Sequence, residues 1–156
     1  MEVGARRATA ADLPTLDELA DAAIAELLPT RGGPLYARHE ARSTPLAELL
    51  ERATALVLAG TIDDAVVGYA VTHIDELAKG GRLAVVDDLF VLPEGREVGV
   101  GEALMDEITA WSRAAGAVGI DAVVLPGNRS TKNFFETFGL TARAIVVHRS
   151  LDDADG

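Results

Sequence analysis

Two adjacent carboxylates, Asp87 and Asp88, interrupt an otherwise apolar run from Leu83 to Leu92, and a glycine-bearing turn spaced Arg96-x-x-Gly99-x-Gly101 follows. These features point to two kinds of chemistry. A carboxylate held in apolar surroundings gains proton affinity and becomes a better general base. A turn that opens a helix presents backbone N–H groups with no intrahelical partner at the positive end of the macrodipole, and so suits a phosphate. At Gly99 and Gly101 no Cβ blocks an anion from the backbone. Two common phosphate loops do not fit. The NTPase loop needs Lys then Ser or Thr after its last glycine, whereas Glu102-Ala103 follow Gly101. A dinucleotide fold needs Gly-x-Gly-x-x-Gly directly after its strand, but Leu104 stands at the third glycine and Pro93–Val98 intervene. A dinucleotide-dependent enzyme is kept as a rival reading.

The elements that must position these groups follow from periodicity and turn chemistry. A strand is expected near Gly4–Ala8. Thr9 and Asp12 form a variant capping box before Leu13, Leu16, Leu19, Ala20, Ala23, Ile24 and Leu27, which recur at helical spacing. Pro29–Arg42 reads as an irregular loop, and Thr44-Pro45 begin a short helix with Leu46, Leu49 and Leu50 inward. Strands Ala55–Ala59 and Val66–Ile74 form a hairpin around Asp63-Asp64, and Leu83–Leu92 is a central strand buried on both faces. Along it, alternation places Asp87 with Val85 and Leu89 on one face, and Asp88 with Val86 and Phe90 on the other. A helix from Gly99 to Ala115 puts Leu104, Ile108 and Trp111 inward. Strand Gly119–Leu125, helix Thr131–Phe138 and strand Thr141–Arg149 follow. The expected fold is α/β (α+β): a mixed, partly antiparallel sheet of about six to seven strands with helices on both faces. One domain spans residues 1–151, and 152–156 form an acidic tail.

Composition limits the partners. The 156 residues are 49% apolar, enough for a core, and there is no apolar run long enough to span a bilayer. Residues 1–7 lack the apolar stretch of a secretory signal, so the expectation is a cytoplasmic protein. Cysteine is absent, and His39, His73 and His148 have no metal-ligand spacing, so no metal is expected. A net charge of −11, from 25 acids against 14 Lys and Arg, repels nucleic acid and favours cationic small molecules. Arg6, Arg7, Arg38 and Arg42 read as surface pairs, and Tyr69 could line an acceptor pocket or supply a phenol but more often such a residue packs. His73 reads as a satisfied or solvent-facing imidazole at a strand end.

The Arg96-x-x-Gly99-x-Gly101 turn resembles the CoA-pyrophosphate motif, Arg/Gln-x-x-Gly-x-Gly/Ala, of the Gcn5-related N-acetyltransferases. The resemblance continues at Asn128 and through Asn133-Phe134-Phe135-Glu136-Thr137-Phe138-Gly139-Leu140, which is similar to the family's Asn followed by a short helix carrying Phe-Tyr-Glu-x-x-Gly-Phe. The order of elements matches along almost the whole chain, with residues 85–140 the specific part. Within the family, Asp87-Asp88-Leu89-Phe90-Val91 is most similar to diamine and polyamine acetyltransferases.

What this resemblance implies is an acyl-CoA N-acyltransferase: direct attack of an amine, small-molecule or peptide, on acetyl-CoA, the co-substrate. It implies that the backbone of Leu89, Phe90 and Val91 binds the pantetheine arm, with an N–H near Val91 polarising the thioester carbonyl. Arg96, Glu97, Val98, Gly99, Val100, Gly101 and Glu102 would wrap the pyrophosphate, and Asn128 and Asn133 would contact the cofactor arm. An alkylamine with a pKa of about 10.4 must lose a proton before attack, and Asp87 is the candidate base. Tyr36, in the long loop whose equivalent closes over the acceptor in the family, is a candidate acceptor residue, with Leu28 and His39 as further pocket candidates. Dimers are common in proteins resembling this one, so a homodimer joins the partner expectations. Three positions depart from the family. Phe135 replaces the tyrosine that protonates the departing thiolate. Glu97 stands where glycine or a cation is common, and Glu102 adds a second negative charge near the phosphates. These departures motivate the alternative of a catalytically weak acyl-CoA-binding or sensor module.

Overall fold

Strand β1 (Val3–Arg7) passes through a 3-10 turn (Ala10–Asp12) into helix α1 (Leu13–Leu27) in a computed structural model that describes residues 1–152. The remainder of the expected acidic tail, 153–156, lies outside the described residues. At the start of α1 the Asp12 carboxylate accepts the Thr9 N–H at 2.8 Å and an Arg6 guanidinium N–H at 2.7 Å. The Arg6 bond holds the Asp12 carboxyl down at about 2.

Within the expected loop 29–42 the chain forms a helix, α2 (Gly33–Arg38). A Cβ on Gly33 would lie 1.9 Å from the Leu27 carbonyl oxygen. The Gly-Gly-Pro cluster thus lets α2 pack against the end of α1, a close approach that composition alone reads as a loop. Helix α3 (Leu46–Leu50) follows Pro45 and buries Leu46 and Leu49.

Five strands are hydrogen-bonded in the order β1-β2-β3-β4-β5: β2 (Ala55–Ile62), β3 (Ala65–Glu76), β4 (Arg82–Val91) and β5 (Ala117–Ala122) complete the set. β1 to β4 are antiparallel neighbours and β5 runs parallel to β4. Asp63 and Asp64 join β2 to β3 at φ 48° and 69°, the left-handed pair whose twist suits a two-residue hairpin. Helix α4 (Val100–Ala114) crosses from β4 to β5, and α5 (Arg129–Thr137) follows. Alternation along β2 sorts the core. Leu56 and Leu58 join Leu104, Met105 and Ile108 of α4 on one face, while Ala55 and Val57 join Leu16 and Leu19 of α1 and Leu46 and Leu49 of α3 on the other. Trp111, expected inward, packs at the margin of the first cluster. No helix among the described residues is long and apolar enough to cross a membrane.

Two expectations are corrected. The sheet has five strands among the described residues, not six to seven, because 141–149 form no strand: Ile145, Val146 and Val147 are 85%, 88% and 90% exposed. Their apolar pattern marks strand propensity, but no neighbouring edge pairs with them. The alternation along β4 also fails. Val71 pairs with Asp88 but Thr72 pairs with Val86, leaving Asp87 as the extra residue of a β-bulge. Val86 therefore shares the α4-side core with Leu89 and Val91, while Phe90 belongs to the opposite core with Tyr69 and Val71.

Candidate active site

The site arises where the two parallel strands part. Pairing of β4 with β5 ends at Val86↔Ala122, yet β4 continues to Val91 with no strand beside it on that edge. The split opens a cavity of about 480 Å³, closed by α1 and α2 at one side and by α5 at the other. Of the residues singled out in the sequence, it brings together Tyr36, Asp87, Leu89, Phe90, Val91, Arg96, Glu97, Gly101, Glu102 and Asn128. Val98, Gly99, Val100 and Asn133 are not in its lining. Gly99 caps α4 at φ 104°, Val100 is fully buried in the core beneath, and Asn133 is on the exposed face of α5.

At one end, β4 runs through a 3-10 turn (Pro93–Gly95) to the N-terminus of α4, whose first N–H groups have no partners within the helix. Arg96 fastens this turn. Its Nε donates to the Val91 carbonyl at 2.7 Å, its Nη2 to Glu26 of α1 at 2.8 Å, and its guanidinium lies 5.5 Å from the centre of the Phe90 ring. The Val91 carbonyl is thereby occupied by protein. Glu97 holds φ 67°, the left-handed conformation that glycine adopts without strain. Gly101 serves packing as well as access, since a Cβ there would stand 2.9 Å from the Phe134 ring. Asn128 caps α5, its Oδ1 accepting from the Thr131 N–H at 3.3 Å. Phe135 is buried and meets Phe134 edge to face at 5.5 Å.

At the other end the bulge turns both carboxylates toward the α1 face. Asp88 is fully engaged: Oδ2 accepts from the Tyr69 hydroxyl at 2.5 Å and Oδ1 from Arg42 Nε at 3.1 Å, with Arg42 also bonded to the Thr44 carbonyl at 2.6 Å. Burial and the adjacent Asp88 charge push the Tyr69 phenol far up, so it stays a donor. Asp87 is engaged on one oxygen only. Oδ2 meets His73 Nδ1 at 2.6 Å, and His73 Nε2 meets Asp75 at 2.9 Å on the way to solvent. Oδ1 of Asp87 has no hydrogen-bond partner among the described residues. Burial raises the Asp87 carboxyl above its ordinary value, with the His73 bond pulling against it. For His73, burial pulls down, but the Asp87 bond and the two carboxylate charges outweigh it and raise the imidazole. Tyr36 faces the same end. Burial, then the Asp88 and Asp87 charges, raise its phenol, and its hydroxyl has no hydrogen-bond partner among the described residues.

Sequence reasoning gave Arg42 and His73 no part in the site and set an acceptor role for Tyr69 below packing, yet all three meet the two carboxylates. Arg42 is no loose surface pair, being only 14% exposed in its side chain. The signal for the other two was cross-strand register, since Tyr69 and His73 share a face of β3 and flank the residue opposite Asp88. The bulge needed to use that register has no signature in the sequence.

Comparison with known proteins bears on this geometry. The profile of the acetyltransferase (GNAT) family matches residues 19–140. No curated protein sequence matches. Among solved structures the chain is similar to a tetramutant of the BH1408 protein from Bacillus halodurans, at 19% identity and TM-score 0.80 over 97% of this chain and 100% of that one. It is also similar to AAC(6')-Iy in complex with a bisubstrate analogue, CoA-S-monomethyl-acetylneamine, at 17% identity and TM-score 0.73 over 97% and 99%. A third, an aminoglycoside acetyltransferase from an uncultured soil metagenomic sample, is 19% identical at TM-score 0.67 over 96% and 95%. A sheet that splits at its parallel pair, a helix N-terminus at the split and a profile match over most of the length agree: the chain belongs to the acetyltransferase (GNAT) family and is an acyltransferase.

Proposed function

We propose that the protein transfers an acetyl group from acetyl-CoA directly to a small cationic amine, with Asp87 as the general base. The observation that carries this reading is the unequal engagement of the two carboxylates. Asp88 has both oxygens bonded and holds Tyr69 and Arg42 in place, whereas Asp87, which lines the cavity, has Oδ1 unbonded among the described residues. An ammonium entering between Tyr36 and Asp87 gives a proton to Oδ1, and the His73–Asp75 chain leads that charge toward solvent. The freed nitrogen attacks the thioester carbonyl carbon, the C–S bond breaks, the sulfur leaves as CoA thiolate, and the nitrogen gives its second proton to solvent water, leaving a neutral amide. Phe135 offers it no proton; thiols ionise near pH 8.5, about the value of cysteine, so the thiolate is a tolerable leaving group. The first N–H groups of α4 and the Arg96–Glu102 turn suit the pyrophosphate. AAC(6')-Iy was captured with a CoA–aminoglycoside analogue, which supports an amine acceptor here.

The test is a thermal-shift series with acetyl-CoA, CoA, NAD and ATP, followed by thiol release over an amine panel. Saturation at 100 times the dissociation constant adds about 2.7 kcal/mol, a readable shift. Stabilisation by the two CoA species with thiol release supports the proposal. A larger response to NAD, or none to CoA, overturns it. Phe135, Glu97 and Glu102 favour one second reading, an acyl-CoA sensor, which would bind acetyl-CoA and release no thiol with any amine.

A further inference from the structure

Helix α1 carries one apolar stripe and uses it in two ways. The first part enters the core, with Leu16 and Leu19 at 0% and 5% exposure. The stripe continues as Ala20, Ala23, Ile24 and Leu27, spaced i, i+3, i+4 and i+7, and all four line the cavity. Ile24 and Leu27 belong to neither core cluster and stay partly exposed. The end of α1 packs on the start of α2 at Leu27 and Gly33, so this aliphatic wall leads to Tyr36. Across the cavity, Leu125 lies 3.5 Å from where a Gly32 Cβ would stand and gives the wall an apolar counterpart.

Negative charge at this end is sparse. Asp88 is held by Arg42 and Tyr69, and Glu26, on the same stretch of α1, pairs with Arg96. Glu97 and Glu102 lie at the start of α4. That leaves Asp87, with Oδ1 unbonded among the described residues, as the anchor for one ammonium.

Resting on the reading of acetyl transfer with Asp87 as base, we propose that the acceptor is a monoamine with a hydrocarbon arm. Its nitrogen sits at Asp87 and its arm lies along Ile24 and Leu27, so polyamines and aminoglycosides are poor acceptors. A second ammonium on the arm would leave water for an aliphatic wall with no carboxylate to meet it, which is costly. A methylene on the arm gains by leaving water, and each is worth about fourfold in binding. The adjacent acidic pair therefore supplies one site for a cation, because Asp88 is already taken by Arg42.

The test compares two amines of one length, hexylamine and hexamethylenediamine, by thiol release on the unmodified chain. The value of kcat/KM should rise about fourfold for each methylene from propylamine to hexylamine. It should fall at least about tenfold from hexylamine to hexamethylenediamine. Ile24→Asp places a carboxylate on the wall and should reverse the second ratio while the thermal shift with acetyl-CoA stays. The series on the unmodified chain decides even where that variant does not fold. A flat alkylamine series, or spermidine or an aminoglycoside preferred over hexylamine, overturns this inference and leaves acetyl transfer standing. So does an Ile24→Asp chain that loses the acetyl-CoA shift with its amine ratio unchanged, which would put Ile24 against the cofactor arm. An absence of thiol release with every amine overturns acetyl transfer itself, and this inference with it.

Discussion

The two ends of the cavity use different parts of the polypeptide. Around Arg96–Glu102 the proposed binding groups are backbone N–H groups at the start of α4, and Arg96 holds the turn through Val91 and Glu26. Around Asp87 and Asp88 the proposed working groups are side chains, and the backbone contributes by its bulge. The first end depends on local spacing within one stretch of chain. The second depends on Arg42, Tyr69 and His73, each brought to β4 from a distant part of the sequence. The comparison teaches that a phosphate-type site can be specified by a motif, whereas an acid–base site is specified by what packs around it.

The largest expected effect falls on the side-chain end. Asp87→Asn should lower kcat for amine acetylation about 10²–10⁴-fold while leaving the thermal shift with acetyl-CoA intact. Loss of that shift together with activity would erase the distinction between the two ends. Titration sharpens it further. The Asp87 carboxyl is raised, so the base is lost as pH falls through a value above the ordinary carboxylate range. Stability runs the other way: the folded state holds this proton more readily than the unfolded chain, so ionisation of Asp87 costs stability as pH rises through the same window. His73→Asn removes a partner that lowers Asp87, and the acidic limb of kcat/KM should move to higher pH. An unmoved limb would take His73 out of the proton path.

Smaller effects test the supports. Tyr69→Phe leaves Asp88 with Arg42 alone and should cost about 1–3 kcal/mol, a drop of a few degrees in Tm, with a rise in KM for the amine. At the backbone end, Glu97→Gly should relieve the left-handed strain at φ 67°, worth about 1–2 kcal/mol. It should also tighten CoA binding about 2–5-fold at low salt, less at high salt as the removed charge is screened. Weaker CoA binding in that variant would mean that the Glu97 side chain itself contacts the ligand.

Much of the frame was legible in the sequence for physical reasons. Helix α4 has strong amphipathic spacing, with Leu104 and Ile108 fully buried as expected. The Asp63-Asp64 hairpin and the Arg96–Gly101 turn follow from residues adjacent in the chain. Helix α2 was not legible, because Gly32-Gly33-Pro34 resembles a loop until the Leu27 carbonyl is placed 1.9 Å from where a Gly33 Cβ would stand. The strand expected over 141–149 shows the reverse error: its apolar pattern is real, but a strand exists only with a neighbour, and pattern does not supply one.

The sequence by itself determined the family, the order of the elements and the helix start that suits a phosphate, since all three rest on spacing along a continuous chain. Only the tertiary structure decided which carboxylate is free. One extra residue in β4 against β3 shifts every side chain beyond it to the other face. That shift gives Asp88 to Tyr69 and Arg42 and leaves Asp87, with Oδ1 unbonded among the described residues, in the lining of the cavity.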